Sequence, residues 1–188
     1  NRPIPDAHSL FKLLNCTLDV YDIVQERGCE IICDLNYPLD ADFDRMRSSY
    51  FIGTYDIVLD VGTVEHVINI WQALVNMAGL VKMGGYIIHE NQHSGWGNHG
   101  FYSLHPTLFH DFYNTNGFTV EKCLLVARSG ETQEPPLTKR FSQQGAADLN
   151  VFCMAQRTKI QSFVYPVQSK YKELIPAAGV RAKEAVNG

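Results

Sequence analysis

Long apolar runs are missing from this chain. None reaches the roughly 18 residues that a membrane-spanning helix requires, and the opening NRPIPDAHSL lacks the charged-then-apolar layout of a signal peptide. No membrane partner is therefore expected, and the reading is of a cytoplasmic protein. Clustered positive charge is missing too. Lys and Arg number 16 against 20 Asp and Glu, for a formal net charge of -4, and no basic stripe runs along any segment, which argues against nucleic acid as the main partner. Cysteine is sparse and odd in number. Cys16, Cys29, Cys33, Cys123 and Cys153 sit mostly in apolar segments and read as reduced core thiols rather than a disulfide framework. The spacing of Cys29 and Cys33 matches no common zinc motif. Glycine is almost absent from the N-terminal part, where Gly28 is the only one before Gly53.

What is present suffices for a domain with a core. The chain has 188 residues, 45% of them hydrophobic. It is organised around the stretch from Thr54 to Glu90, TYDIVLDVGTVEHVINIWQALVNMAGLVKMGGYIIHE. Tyr55 to Val61 has the composition of a strand buried on both faces of a parallel sheet. From Val67, apolar residues at Ile70, Trp71, Leu74, Ala78 and Val81 mark one helical face, with Asn69 as cap. Gly84 and Gly85 then stop the helix, and Tyr86 to His89 reads as the next strand. Such a βαβ unit directs attention to the residues beyond the carboxyl ends of its strands, Asp60 to His66 and Glu90 to Tyr102.

Upstream, Asp6 to Asn15 reads as a helix. Thr17 to Ile23 and Glu30 to Leu35 read as short strands, each carrying an aspartate near its end, and residues 36–50 as a loop and short helix. Downstream, NQHSGWGNHGFYSL is too irregular for an element and is a candidate functional loop. Pro106 opens a helix closed by Gly117. Phe118 to Ala127 and Leu149 to Gln156 read as an antiparallel strand pair. Their polar connection, residues 128–147, is open to being a lid, a homodimer arm or simply disordered. Residues 1–159 are expected to form one α/β domain, with 160–188 as a C-terminal tail that frays at its end.

The segments YDIVLDVGTVEHV, LVKMGGYII and the NGF at 116–118, in this order and spacing, resemble the class I S-adenosylmethionine-dependent methyltransferases. The resemblance implies a Rossmann-like fold with a mostly parallel sheet and a C-terminal antiparallel strand pair. Its cofactor would be S-adenosylmethionine and its acceptor a small molecule or saccharide methylated on oxygen or nitrogen. It places Asp22, with Ile23 beside it, on the ribose hydroxyls, Asp34 on the adenine amine, Leu35 against the ring, and Asp60 near the methyl donor. Read without the family, an aspartate at such a position also caps a turn. Glu65 and His66 become the candidate catalytic pair, since an imidazole can take a proton from the acceptor as the methyl arrives; equally, both suit the start of the following helix. His93, Trp96, His99 and Tyr102 are expected to line the acceptor pocket. The family's glycine-rich first-strand loop has no counterpart here. The expected sheet therefore lacks that first strand, either because a segment upstream supplies it or because the chain is a relative that has lost cofactor binding and serves as a non-catalytic binding protein.

Residues 89–99, HENQHSGWGNH, also contain His-Glu-x-x-His followed by a third histidine, the spacing of a zinc hydrolase. That site requires His89 and His93 on one helical face, with Glu90 activating a zinc-bound water. Gly84, Gly85 and the β-favouring Tyr86, Ile87 and Ile88 leave little room for such a helix. The expectation is accordingly no metal, with a zinc hydrolase as the lesser alternative and a non-catalytic ion on His93 and His99 left open.

Overall fold

The computed structural model describes residues 6–26, 30–39, 53–139, 141 and 148–172. Helix α1 spans Ala7–Leu13, where Asp6 caps the first turn by accepting from the Ser9 amide at 2.9 Å. Strands β1 (Val20–Asp22) and β2 (Glu30–Ile32) pair in parallel. The organising unit follows as β3 (Tyr55–Val61), a 3-10 turn (Val64–His66), α2 (Ile70–Leu80) and β4 (Val81–Ser94). Asn69 caps α2 through the Gln72 amide, as the spacing predicts. After it come α3 (Pro106–Thr115), β5 (Phe118–Ala127), β6 (Thr132–Gln133), β7 (Leu149–Arg157) and the short α4 (Ser169–Lys172). The part of residues 36–50 expected to form a short helix lies, from residue 40 on, outside the described residues. Among the described residues, no helix is long and apolar enough to cross a membrane.

The sheet corrects the expectation of a mostly parallel Rossmann-like arrangement. Among the described residues the main sheet has five strands in the order β3-β4-β7-β5-β6, and of these only β3 and β4 are parallel; β4-β7, β7-β5 and β5-β6 are all antiparallel. A parallel neighbour requires a crossover element, which α2 supplies between β3 and β4. Strand β7 runs antiparallel to both of its neighbours, inserted between β4 and β5. The pair β1-β2 forms a separate sheet that shares no ladder with β3. Its link to β3 is made by side chains: the Tyr21 hydroxyl donates to that of Tyr55 at 2.9 Å, and Tyr55 donates to Asp19 at 2.8 Å. Burial, the largest influence on both phenols, raises their pKa and keeps them protonated as donors.

Helices α2 and α3 cover one face of the main sheet. Ala73, Leu74, Met77 and Ala78 of α2 and Phe109, Phe112 and Tyr113 of α3 pack on Ile87, Leu125, Val151 and Ala155. The other face of β3 is uncovered: Ile57, Leu59 and Val61 are 53%, 46% and 67% exposed. The two-sided burial expected of β3 is thus corrected to one-sided.

Strand β4 also runs further than the sequence suggests, because residues 90–94 continue to pair with β7, Glu90 opposite Phe152 and Ser94 opposite Leu149. Gly84, in the left-handed region at φ 78, lies within β4 rather than at a helix end. Its conformation accompanies the register irregularity between Tyr55 and Ile57, where the helix-to-strand transition at Leu80 is absorbed. The C-terminal carbonyls of α2 are met by the buried Arg157, whose Nη1 donates to Ala78, Gly79 and Val81 at 3.3, 3.4 and 2.6 Å.

The segment expected to begin the tail is tied down through residue 169. Asn116 exchanges bonds with the backbone of Val164 at 2.7 and 3.1 Å, Phe163 stacks on Phe112, and Asp111 accepts from the Ser169 amide at 2.8 Å and from its hydroxyl.

Candidate functional site

The site begins with a buried carboxylate. Asp60, near the end of β3, is 1% exposed and fully engaged. Its Oδ1 accepts from the amides of Thr63 and Val64 at 3.2 and 3.3 Å, which folds the chain into the Val64–His66 turn. Its Oδ2 lies 2.6 Å from Nδ1 of His89, and His89 Nε2 lies 2.6 Å from the Tyr113 hydroxyl. A carboxylate can only accept, so Nδ1–H donates to Asp60, and Nε2 shares the second bond with the Tyr113 hydroxyl. Burial, with Cys153 and Asp60 nearby, pushes the Tyr113 phenol well above its ordinary range, so it remains protonated. Asp60 therefore organises the turn from beneath rather than facing solvent.

The turn carries Glu65 inward and His66 outward. Glu65 is 1% exposed, and its Oε2 accepts from Asn91 Nδ2 at 2.9 Å. The loop after β4 closes over it: the Phe101 amide donates to the Glu65 carbonyl at 2.9 Å, and the Tyr102 hydroxyl donates to the Ile68 carbonyl at 2.9 Å. Gly100 is required at this crossing, because a Cβ there would lie 2.9 Å from the Glu65 carbonyl oxygen. The closure sets His99 beside His66, ring centroids 5.0 Å apart, with His99 Nε2 3.8 Å from Glu65 Oε1. Trp96 lies against His99 at 5.6 Å. Glu65, His66, Trp96 and His99 are thus brought together at the carboxyl ends of β3 and β4. One ligand atom each of Glu65, His66 and His99 falls within 4.8 Å of the others.

The remaining sequence candidates lie elsewhere or act differently. His93 is buried, donates from Nδ1 to the Leu104 carbonyl at 2.8 Å, and packs edge-on against His105. Burial, and secondarily His93, lowers the pKa of His105. Tyr102 pins the loop through its hydroxyl, while its carbonyl accepts from Gln92 Nε2 at 2.7 Å. Asp22 and Asp34 lie at the same end of the β1-β2 pair. Asp22 Oδ1 accepts from the Val24 amide at 3.2 Å, and Asp34 Oδ1 accepts from the Asn36 amide and side chain at 2.9 and 2.8 Å. Both thus make the turn-capping bonds that the bare residues also suggest. Ile23 is exposed, and Leu35 packs against the core. The loop after β2 is held to α2 by Asn36, which accepts from the Asn69 amide at 2.9 Å.

His89, Glu90 and His93 lie on β4 and not on a helix, with both nitrogens of His89 engaged inside the protein. The helical His-Glu-x-x-His arrangement is not formed.

Beside Trp96 opens a cleft of about 330 Å³ bordered by Glu90, Ala127, Arg128, Asp148 and Asn150. Asn150 Nδ2 donates to Glu90 Oε1 at 3.2 Å across its wall. Sequence reasoning missed Asn91, Gly100 and this cleft. The first was legible as alternation: His89, Asn91 and His93 recur with period two and all point to the buried face.

No protein-family model matches the chain, and no curated protein matches it either. The functional reading rests on the residues themselves.

Proposed function

We propose that the chain transfers the methyl group of S-adenosylmethionine to an oxygen or nitrogen of a small polar molecule or saccharide, in the cytoplasm. The observation that carries this reading is the exposed patch of His66, Trp96 and His99 over the buried Glu65. It forms where two chain segments meet beyond the parallel strands β3 and β4, the position that the resemblance assigns to the acceptor. The adjoining cleft suits a polar acceptor, with Glu90, Arg128 and Asp148 for hydroxyl or amine groups and Trp96 as a flat apolar wall. The cofactor would lie toward Asp22 and Asp34, whose turns present the carboxyl end of the β1-β2 pair.

The chemistry demands little of the protein. When bound, S-adenosylmethionine would supply an electrophilic methyl group on a sulfonium, with a neutral thioether as its leaving group. Alignment of acceptor and methyl contributes most of what the site can supply. The acceptor proton passes to an exposed imidazole of the patch, with Glu65 held in place by Asn91.

Isothermal titration of the chain with S-adenosylhomocysteine tests the reading, run beside an Asp22→Ala variant. Saturable binding that weakens in the variant is expected. Absence of binding by the parent chain refutes it and leaves a non-catalytic binding protein.

A further inference from the structure

The geometry points to a divalent transition-metal site formed by Glu65, His66 and His99, a site that does not depend on the methyl-transfer reading. Two imidazoles and one carboxylate are a donor set suited to first-row ions such as Zn²⁺ or Co²⁺, with positions left open for water or an acceptor oxygen. The ligand atoms lie within 4.8 Å of one another, and the Glu65 Oε1 to His99 Nε2 separation is 3.8 Å. Tetrahedral zinc with bonds of ~2.05 Å places its ligands ~3.4 Å apart, so small side-chain rotations close the set.

Three features distinguish this cluster from a chance meeting of surface residues. Glu65 is 1% exposed, and its second oxygen is oriented by Asn91, the outer-shell role that ligating carboxylates require. Asn91 is itself buried, and its Oδ1 has no hydrogen-bond partner among the described residues, an unmet acceptor beside the cluster. Gly100 and the Phe101 amide clamp the loop of His99 directly onto the Glu65 backbone, so the third ligand is positioned by main-chain contacts. With the ion bound, His66 and His99 act as ligands and not as free bases. The ion itself would then favour deprotonation of a bound hydroxyl.

Titration of the whole chain with Co²⁺, followed by visible absorbance and by competition with Zn²⁺, tests the site. One equivalent is expected to bind with tetrahedral or five-coordinate d–d bands. Because loss of an outer-shell partner alone costs ~10–100-fold in affinity, His66→Ala, His99→Ala and Glu65→Gln should each lose at least that much. His105→Ala, whose ring packs on His93 instead, should leave binding unchanged. Both ligand histidines are exposed, so their variants are expected to fold, which circular dichroism checks, and they decide the matter if Glu65→Gln does not fold. Absence of one-equivalent binding, or retention of parent affinity in either histidine variant, overturns the site.

Discussion

Replacing Asp60 with alanine should destabilise the protein more than replacing Tyr113 with phenylalanine, although the two residues belong to one buried hydrogen-bonded array. Tyr113→Phe removes one bond and leaves His89 Nε2 without its partner in a fully buried position. A buried polar group left without its partner costs ~1–3 kcal/mol, which sets the expected loss. Asp60→Ala strands the His89 Nδ1–H donor at the same cost and also releases the Thr63 and Val64 amides. Those two bonds are long, so ~0.5–1 kcal/mol each is a fair value, for a total of ~2–5 kcal/mol. The released amides belong to the turn that carries Glu65 and His66, so Asp60→Ala should also disorder the candidate site, whereas Tyr113→Phe should leave it intact. Urea unfolding followed by circular dichroism gives the two stabilities, and Co²⁺ titration reports the site. If Asp60→Ala proves no more destabilising than Tyr113→Phe, or keeps full metal affinity while Tyr113→Phe loses it, the assignment of Asp60 as organiser of the turn is refuted.

Arg157→Met should cost ~1–3 kcal/mol, since it retains the aliphatic packing while taking the buried Nη1 donor from the Val81 carbonyl; the Ala78 and Gly79 carbonyls keep the Val81 and Gly53 amides, and chemical denaturation measures the loss. Stability should also fall on mild acidification. The folded state depresses the His105 pKa, so between the ordinary value of 6.5 and the lower folded value the unfolded chain binds more protons, and stability drops as pH falls through that window. Urea midpoints measured from neutral to mildly acid pH should show this slope, and His105→Ala should flatten it.

The local elements of the organising unit are legible in the amino-acid order because each depends on neighbours in sequence. The alternation-free run Tyr55–Val61, the Asn69 cap and the apolar face of α2 depend on backbone geometry and burial over one or two turns. So do Pro106 at the start of α3 and the Gly117 turn before β5, which adopts φ 82. The extent of β4 was not legible in this way. Residues 91–94 are polar and resemble a loop, yet they pair with β7, a partner about 60 residues away.

That β7 runs against β5 was legible in the sequence, but that it also lies against β4 was not. The composition of β7 is the same whether it runs with β4 or against it, and only the connection and the packing of its neighbours choose. The candidate residues Glu65, His66, Trp96 and His99 could each be named from composition and position. That the first two meet the last two, while His93 turns inward to Leu104 and Tyr102 to Ile68, was decided by tertiary structure. The contact depends on a close crossing at Gly100 and on a carboxylate, Asp60, that bends the chain from below. Both act between segments more than 30 residues apart or through a buried partner, and residue order alone carries no signal of either.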